Sequence, residues 1–204
     1  MNLPASRAEE WRAHWPLVLT CCVGFSISPI PVLIVGIVLQ PLVEEFGWSR
    51  TQATIGMTIA SVMSIPLAPL IGAMADRWGV RRIALPGLIA TTGATVAFGL
   101  ANGSITQWIV LWTFFGAAVI GVKAVLWTTA IASTFTHARA VAMSIVLGGT
   151  ALANTVVPPV AQFLTDAYSW RYAYVGLALL FGVPAFVLSL AYMFDARPLS
   201  ERQR

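Results

Sequence analysis

Asp, Glu, Lys and Arg are almost absent from five long stretches of this chain, and that absence decides most of what it can fold into. No such residue lies between Arg12 and Glu44, between Arg50 and Asp76, between Arg139 and Asp166, or between Arg171 and Asp195. Between Arg82 and Arg139 the single charge is Lys123. A helix needs roughly 20 apolar residues to cross a hydrocarbon core of about 30 Å. The runs leave room for six crossings, expected at 16–41, 51–74, 82–101, 107–132, 141–164 and 172–194. Only 10% of the 204 residues are charged, against about a quarter in a soluble domain. Barrel strands would be about ten residues long and alternate in polarity; these runs are longer and do not alternate. The expected fold is therefore all-α and polytopic. It has a cytoplasmic segment at 1–15, a six-helix bundle at 16–194 and the start of a cytoplasmic linker or tail at 195–204.

The first apolar run is too long for the core of a cleavable signal, and mixed charges precede it (Arg7, Glu9, Glu10, Arg12). Cys21 and Cys22 are adjacent in the first span and are the only cysteines, so they read as small residues at a helix interface. The histidines, His14 and His137, are too far apart in sequence to suggest a metal site. No metal or other cofactor is expected. With six crossings, one membrane face carries Arg7, Arg12, Arg77, Arg81, Arg82, Arg139, Arg197, Arg202 and Arg204; the other carries Arg50 and Arg171. Positive loops stay in the cytoplasm, which places both termini inside. The net charge of +4 then reflects topology and contact with the lipid bilayer, not nucleic-acid binding.

The turn GAMADRWGVRR, between the second and third spans, places Gly72, Asp76, Arg77, Gly79, Arg81 and Arg82 in the pattern G-x-x-x-D-R-x-G-x-R-R. This resembles the signature loop of the major facilitator superfamily. The stretches EEFGWSR, ARAVAMS and SWRYAYV look like that superfamily too. The combination is most similar to its bacterial monocarboxylate and oxalate/formate-type members. The resemblance implies residence in a bacterial inner membrane and alternating access, with the signature loop and Arg139 latching the cytoplasmic face. The other reading of the loop is a positive turn that only fixes orientation. Gly79 permits a backbone turn that a side chain would resist, and Gly72 leaves room for close helix approach.

ADRWGVRR and TDAYSWRY align at an offset of 90, FGWSR and FTHAR at 89. Two three-helix units result, the second inverted, as in halves of such transporters. Six helices make one half. A second six-helix half is therefore expected from missing sequence, a separate chain or a homodimer mate.

Lys123 lies near the middle of the fourth span, where a lysine costs roughly 2.5–3.5 kcal/mol on insertion scales. No Asp or Glu lies at similar depth. It binds a small organic anion, pairs with an acid of the second half, or is a tolerated lysine facing a cavity. Trp112, Gly116, Val119, Lys123 and Trp127 recur at helical spacing and share a face. Trp127 can shape a pocket or pack as an ordinary core aromatic. Thr150, Asn154, Pro158 and Gln162 make a polar stripe on the fifth span, either lining a cavity or joining helices. Ser26, Ser28, Pro29 and Pro31 suggest an irregular first helix. Small pairs suit close packing: Ala68 with Gly72, Gly93 with Ala97, Ala117 with Gly121, and Gly149 with Ala153.

Drug/proton antiporters of the superfamily carry an Arg in the fourth helix where Trp112 stands, and a Gly-Pro pair in the fifth where Val157-Pro158-Pro159 stands. That argues against a multidrug antiporter and leaves the coupling ion, a proton or a counter-anion, open. An intramembrane enzyme would need a nucleophile–base pair or metal set at membrane depth, and no His, Asp or Glu lies there. The remaining alternative to a transporter is a non-transporting membrane protein: a sensor, an assembly partner or an inactive remnant.

Overall fold

The computed structural model describes residues 6–193, apart from the side chains of Ala68 and Asp76. The expected linker at 195–204, the first five residues of the N-terminal segment, the Asp76 carboxylate and the Ala68 side chain lie outside that description. The described residues form α-helices and one short 3-10 turn, with no strand among them.

Helix α1 (Arg7–Ser26) is capped by Ser6, whose Oγ accepts the Glu9 N–H. It is followed by α2 (Ile30–Phe46) after a break at 27–29. The break lies among Ser26, Ser28, Pro29 and Pro31, where an irregular helix is expected, because a proline has no N–H to offer the preceding turn. Helix α3 (Arg50–Trp78) opens on a capping box between Ser49 and Gln52. It bends by 52° between Leu67 and Pro69, where Pro66 and Pro69 interrupt the ladder. Gly79 alone joins α3 to α4 (Val80–Phe98), at φ 86° and ψ 151°. That conformation is essentially confined to glycine.

The fourth expected span is not one continuous α-helix. Helix α5 (Ile105–Ala118) passes into a 3-10 turn (Val119–Val122). Lys123 is extended (φ −70°, ψ 158°), and α6 (Ala124–Thr134) begins after it. The single helical face drawn from Trp112 to Trp127 is therefore interrupted. Helices α7 (Arg139–Ala167) and α8 (Trp170–Tyr192) complete the bundle.

Four stretches are long and apolar enough to cross a bilayer: Arg7–Phe46, Ile105–Thr134, Arg139–Ala167 and Trp170–Tyr192. The bent α3 makes a fifth if it is counted whole. Helix α4 is not among them, since it holds Arg81 and Arg82 in its first turn and Thr91, Thr92 and Thr95 farther along.

In lipid no hydrophobic force drives helices together, so close contact depends on small residues and shape. Gly149 of α7 lies against the Cys22 carbonyl of α1, with Cys21 fully buried beside it. Gly87 of α4 meets the backbone of Gly121, so α4 presses directly on the 3-10 turn. Gly56 of α3 receives the Trp112 ring, and Gly116 of α5 meets Ala60. Around them stands an aromatic core of Phe98, Trp108, Trp112, Phe115 and Tyr174, with neighbouring ring centroids 4.8–6.1 Å apart. Not every small residue serves this purpose. A Cβ built at Gly72 or Gly93 has nothing within 4 Å among the described residues.

The adjacent pair Gly148 and Gly149 gives a direct test. A Cβ at Gly149 would collide with the Cys22 carbonyl, whereas one at Gly148 has no neighbour within 4 Å. Gly149→Ala should lower the detergent unfolding temperature, with an overpacking cost of about 1–3 kcal/mol. Gly148→Ala should leave it unchanged or raise it, by up to about 1 kcal/mol of helix propensity.

Candidate functional site

Hydrogen bonds define two opposite edges of the bundle. At one edge the Glu10 side chain, only 1% exposed, accepts four bonds. They come from the Thr136 N–H (2.6 Å) and hydroxyl (3.0 Å), the His137 N–H (3.0 Å) and the Ala138 N–H (2.7 Å). A carboxylate is thus set on the turn that starts α7. At the same edge Arg81 donates from Nη2 to the Leu190 carbonyl in the last turn of α8 (3.1 Å). Arg77, Arg82 and Arg139 are exposed.

At the other edge Glu45, at the end of α2, pairs with Arg171 at the start of α8 (2.7 Å). Glu45 also accepts the Trp170 indole N–H (2.6 Å). Arg171 reaches the Ala101 carbonyl (3.2 Å) and lies over the Trp170 ring, 4.3 Å from its centroid. Trp48 donates to the Gly103 carbonyl (3.1 Å), closing the aromatic girdle of Phe46, Trp48 and Trp108.

Lys123 lies between these edges, at the break. It lines a cleft of about 260 Å³ with Ser64 and Ile71 of α3, Ile120 of the 3-10 turn, and Ala124 and Val125 of α6. No carboxylate among the described residues pairs with its ammonium. The first turn of α6 has no side-chain cap; the Leu126 N–H donates to the Lys123 carbonyl (3.1 Å), which leaves the Ala124 and Val125 amides at the helix start beside a cation. The Ser64 hydroxyl donates to the Ala60 carbonyl (2.9 Å) and keeps acceptor capacity. One flexible cation, a hydroxyl and the positive end of a helix face one small, mainly apolar space. That combination can accept an anionic group.

The other residues singled out in the sequence are not gathered there. Trp112 is fully buried in the aromatic core. Trp127 is fully buried against Gly24 of α1, and its Nε1–H donates to the Val122 carbonyl (2.9 Å). It stabilises the break next to Lys123; among the described residues its ring makes no cation–π contact with that lysine. Asn154 is exposed near the middle of α7 and has no hydrogen-bond partner among the described residues. Gln162 is exposed and donates to Asp166 (2.8 Å). The buried stripe of α7 is Ala142, Val146, Gly149, Ala153, Val157 and Ala161; Asn154 and Gln162 lie off that face and are exposed, while Thr150 and Pro158 are half-buried at its border. Within the signature loop, Gly79 occupies its strained turn and Arg81 holds α8.

Sequence reasoning missed Glu10 and Glu45 as anchors. Their signal was a carboxylate at each border of the first apolar span, but the partners lie 126 positions away in sequence.

The Major Facilitator Superfamily profile matches residues 17–204. The chain belongs to the Major Facilitator Superfamily, a family of membrane transporters rather than enzymes. It is similar to a Mus musculus protein named monocarboxylate transporter 11, with 26% identity over 147 residues, covering 72% of this chain and 32% of that protein. It is also similar to a Pseudomonas aeruginosa protein named transcription regulatory protein OpdE, with 24% identity over 195 residues, covering 95% of this chain and 47% of that protein. The chain thus spans less than half the length of either relative.

The two carboxylate anchors differ in burial, and their deletion should differ in cost. Glu10→Ala leaves three backbone N–H groups unsatisfied and should destabilise the chain in detergent by about 1–3 kcal/mol. The Glu45 and Arg171 side chains are 41% and 35% exposed. A double-mutant cycle with Glu45→Gln and Arg171→Gln should return a coupling of no more than about 1 kcal/mol.

Proposed function

We propose that this chain supplies one six-helix unit of a secondary transporter that moves a small organic anion, such as a monocarboxylate, by alternating access. The observation that carries the reading is Lys123, a cation at an extended break, lining a cleft without a carboxylate partner among the described residues. A substrate carboxylate supplies the missing counter-charge, and the uncapped first turn of α6 adds a favourable dipole. Trp127 positions Lys123 by holding the break. The name of the mouse relative agrees with a carboxylate ligand.

Helix α4 is the sixth crossing in this reading. Its first turn is tied to the end of α8 through Arg81 and Leu190, and Ala101, just past its end, to the start of α8 through Arg171. It therefore lies antiparallel to an apolar 23-residue helix and covers the same depth. The six crossings form two inverted three-helix repeats. Residues 1–15 and 195–204 flank the bundle in the cytoplasm of a bacterial cell, with the inner membrane as host.

The second six-helix unit, from further sequence, another chain or another copy, covers the exposed polar stripe of α7. Pro158 and Pro159 offer no N–H to the Asn154 and Thr155 carbonyls. Those carbonyls, with the Asn154 side chain and Gln162, form a polar surface suited to the wall of a central aqueous cavity. Trp112, in α5, stays in the aromatic core ahead of the break. Gly72, Asp76, Arg77, Gly79, Arg81, Arg82 and Arg139 close the cytoplasmic face against the second unit. A proton or a counter-anion balances the substrate charge.

Uptake of labelled lactate, oxalate and formate into proteoliposomes tests the reading. Lys123→Ala should lower uptake roughly tenfold or more, the loss of one charge-assisted contact, while Lys123→Arg keeps part of it. If the unaltered chain moves none of the three, alone or with a second unit, the non-transporting membrane protein becomes the reading.

A further inference from the structure

The first turns of α1 and the start of α7 border a shallow, open groove of about 430 Å³, lined by Arg7, Ala8, Trp11, Arg12, Ala138 and Val141. It is remote from Lys123 and independent of the transport reading. The groove lies beside the Glu10 anchor, but that carboxylate is taken up by bonds to Thr136, His137 and Ala138. Neither Arg7 nor Arg12 pairs with a carboxylate among the described residues. Arg139, next to Ala138, adds a third exposed guanidinium at the N-terminal end of a helix. There a cation opposes the helix dipole, so local helix stability does not explain it.

Away from the arginines the surface becomes apolar and stays exposed. Trp11, Trp15 and Leu19 follow one another at four-residue spacing along α1, with Trp15 51% exposed. Val141, 57% exposed, and Ile145 do the same along α7. The groove thus combines a cationic rim, an aromatic side chain and two apolar tracks running toward the middle of the bundle.

We infer that this groove seats the headgroup of an anionic phospholipid. The guanidinium groups of Arg7 and Arg12 hold its phosphate, and its acyl chains lie along Trp15 and Leu19 on one side and Val141 and Ile145 on the other. A free phosphate or small soluble anion would use the rim and leave the apolar tracks bare. A zwitterionic lipid would use the tracks and bring no net charge to the rim. Bound there, the lipid braces the contact between α1 and α7 at the Glu10 edge.

Native mass spectrometry of the full chain in dodecylmaltoside micelles, with equimolar dioleoylphosphatidylglycerol and dioleoylphosphatidylcholine, tests the inference. Phosphatidylglycerol should be retained in preference, and a millimolar excess of inorganic phosphate should not displace it. The Arg7→Gln/Arg12→Gln double variant should lose the preference by roughly fivefold per arginine removed. Arg50→Gln, at the opposite edge, should keep it. Both variants alter exposed side chains, and an unchanged unfolding temperature in lipid-free detergent confirms that they fold. Equal retention of the two lipids, or a preference undiminished in the double variant, overturns the inference. Displacement by inorganic phosphate also overturns it, by marking a soluble-anion site.

Discussion

Inside a bilayer every backbone N–H and C=O must find its partner within the protein, and this chain is shaped by how it meets that demand where its helices stop. At the break between α1 and α2 the Ser28 N–H donates to the Phe25 carbonyl, and the Ile30 N–H to the Ile27 carbonyl. The Ser26 hydroxyl donates to the Val23 carbonyl (2.6 Å). At the break between α5 and α6 the Lys123 N–H donates to the Ile120 carbonyl, and the Trp127 indole reaches the Val122 carbonyl. Ile27, Ile30 and Val122 are fully buried, so both breaks are sealed by packing as well as by bonds. What remains open is one cation and one uncapped helix start, and a cleft is found there.

The second constraint is that lipid tails are as apolar as the side chains they touch, so contact area alone does not select one helix pairing over another. Selection falls to places where backbones approach closely. Gly149 against Cys22 fixes α1 on α7, Gly87 against Gly121 fixes α4 on the 3-10 turn, and Gly116 against Ala60 fixes α5 on α3. The aromatic core then fills the space between α3, α4, α5 and α8 around Phe98. The Gly87–Gly121 contact has a further consequence. It brings the α4 backbone onto the 3-10 turn, immediately before Lys123.

Features with a local cause were legible in the sequence. A charge at membrane depth is costly wherever it stands, so the charge-free runs marked the helices without knowledge of their neighbours. Pro29 and Pro31 marked the first break because a missing N–H acts within one turn. Gly79 marked its junction because only glycine accepts that backbone. The break at Lys123 was not legible. Val119–Val122 contains no proline, and the turn is held by Gly87 from α4 and by the Trp127 indole, which are tertiary contacts. Once the helix is broken, four-residue spacing no longer places Trp112, Lys123 and Trp127 on one face. Glu10 and Glu45 were visible as charges bordering a span, but their partners were set by topology. Asn154 and Gln162 were recognised as a polar stripe; which way the stripe faces depended on the small residues of the opposite side of α7.

The two glutamates have a mechanical meaning as a pair. Glu10 stands at the start of the first span and Glu45 at its end, and they are bonded to the starts of α7 and α8 respectively. Moving the first span away from α7 and α8, or sliding it along them, must break both of these clusters, and pivoting it about one must break the other. At one edge such motion leaves three N–H groups without an acceptor; at the other it separates an ion pair from its indole donor. The bend of α3 at Leu67–Pro69 and the ammonium of Lys123 carry no comparable tie, since no side-chain hydrogen bond joins either to another helix among the described residues. The charged side-chain ties between helices thus lie at the two edges. In the middle, the bent helix and the broken helix face each other across the Lys123 cleft.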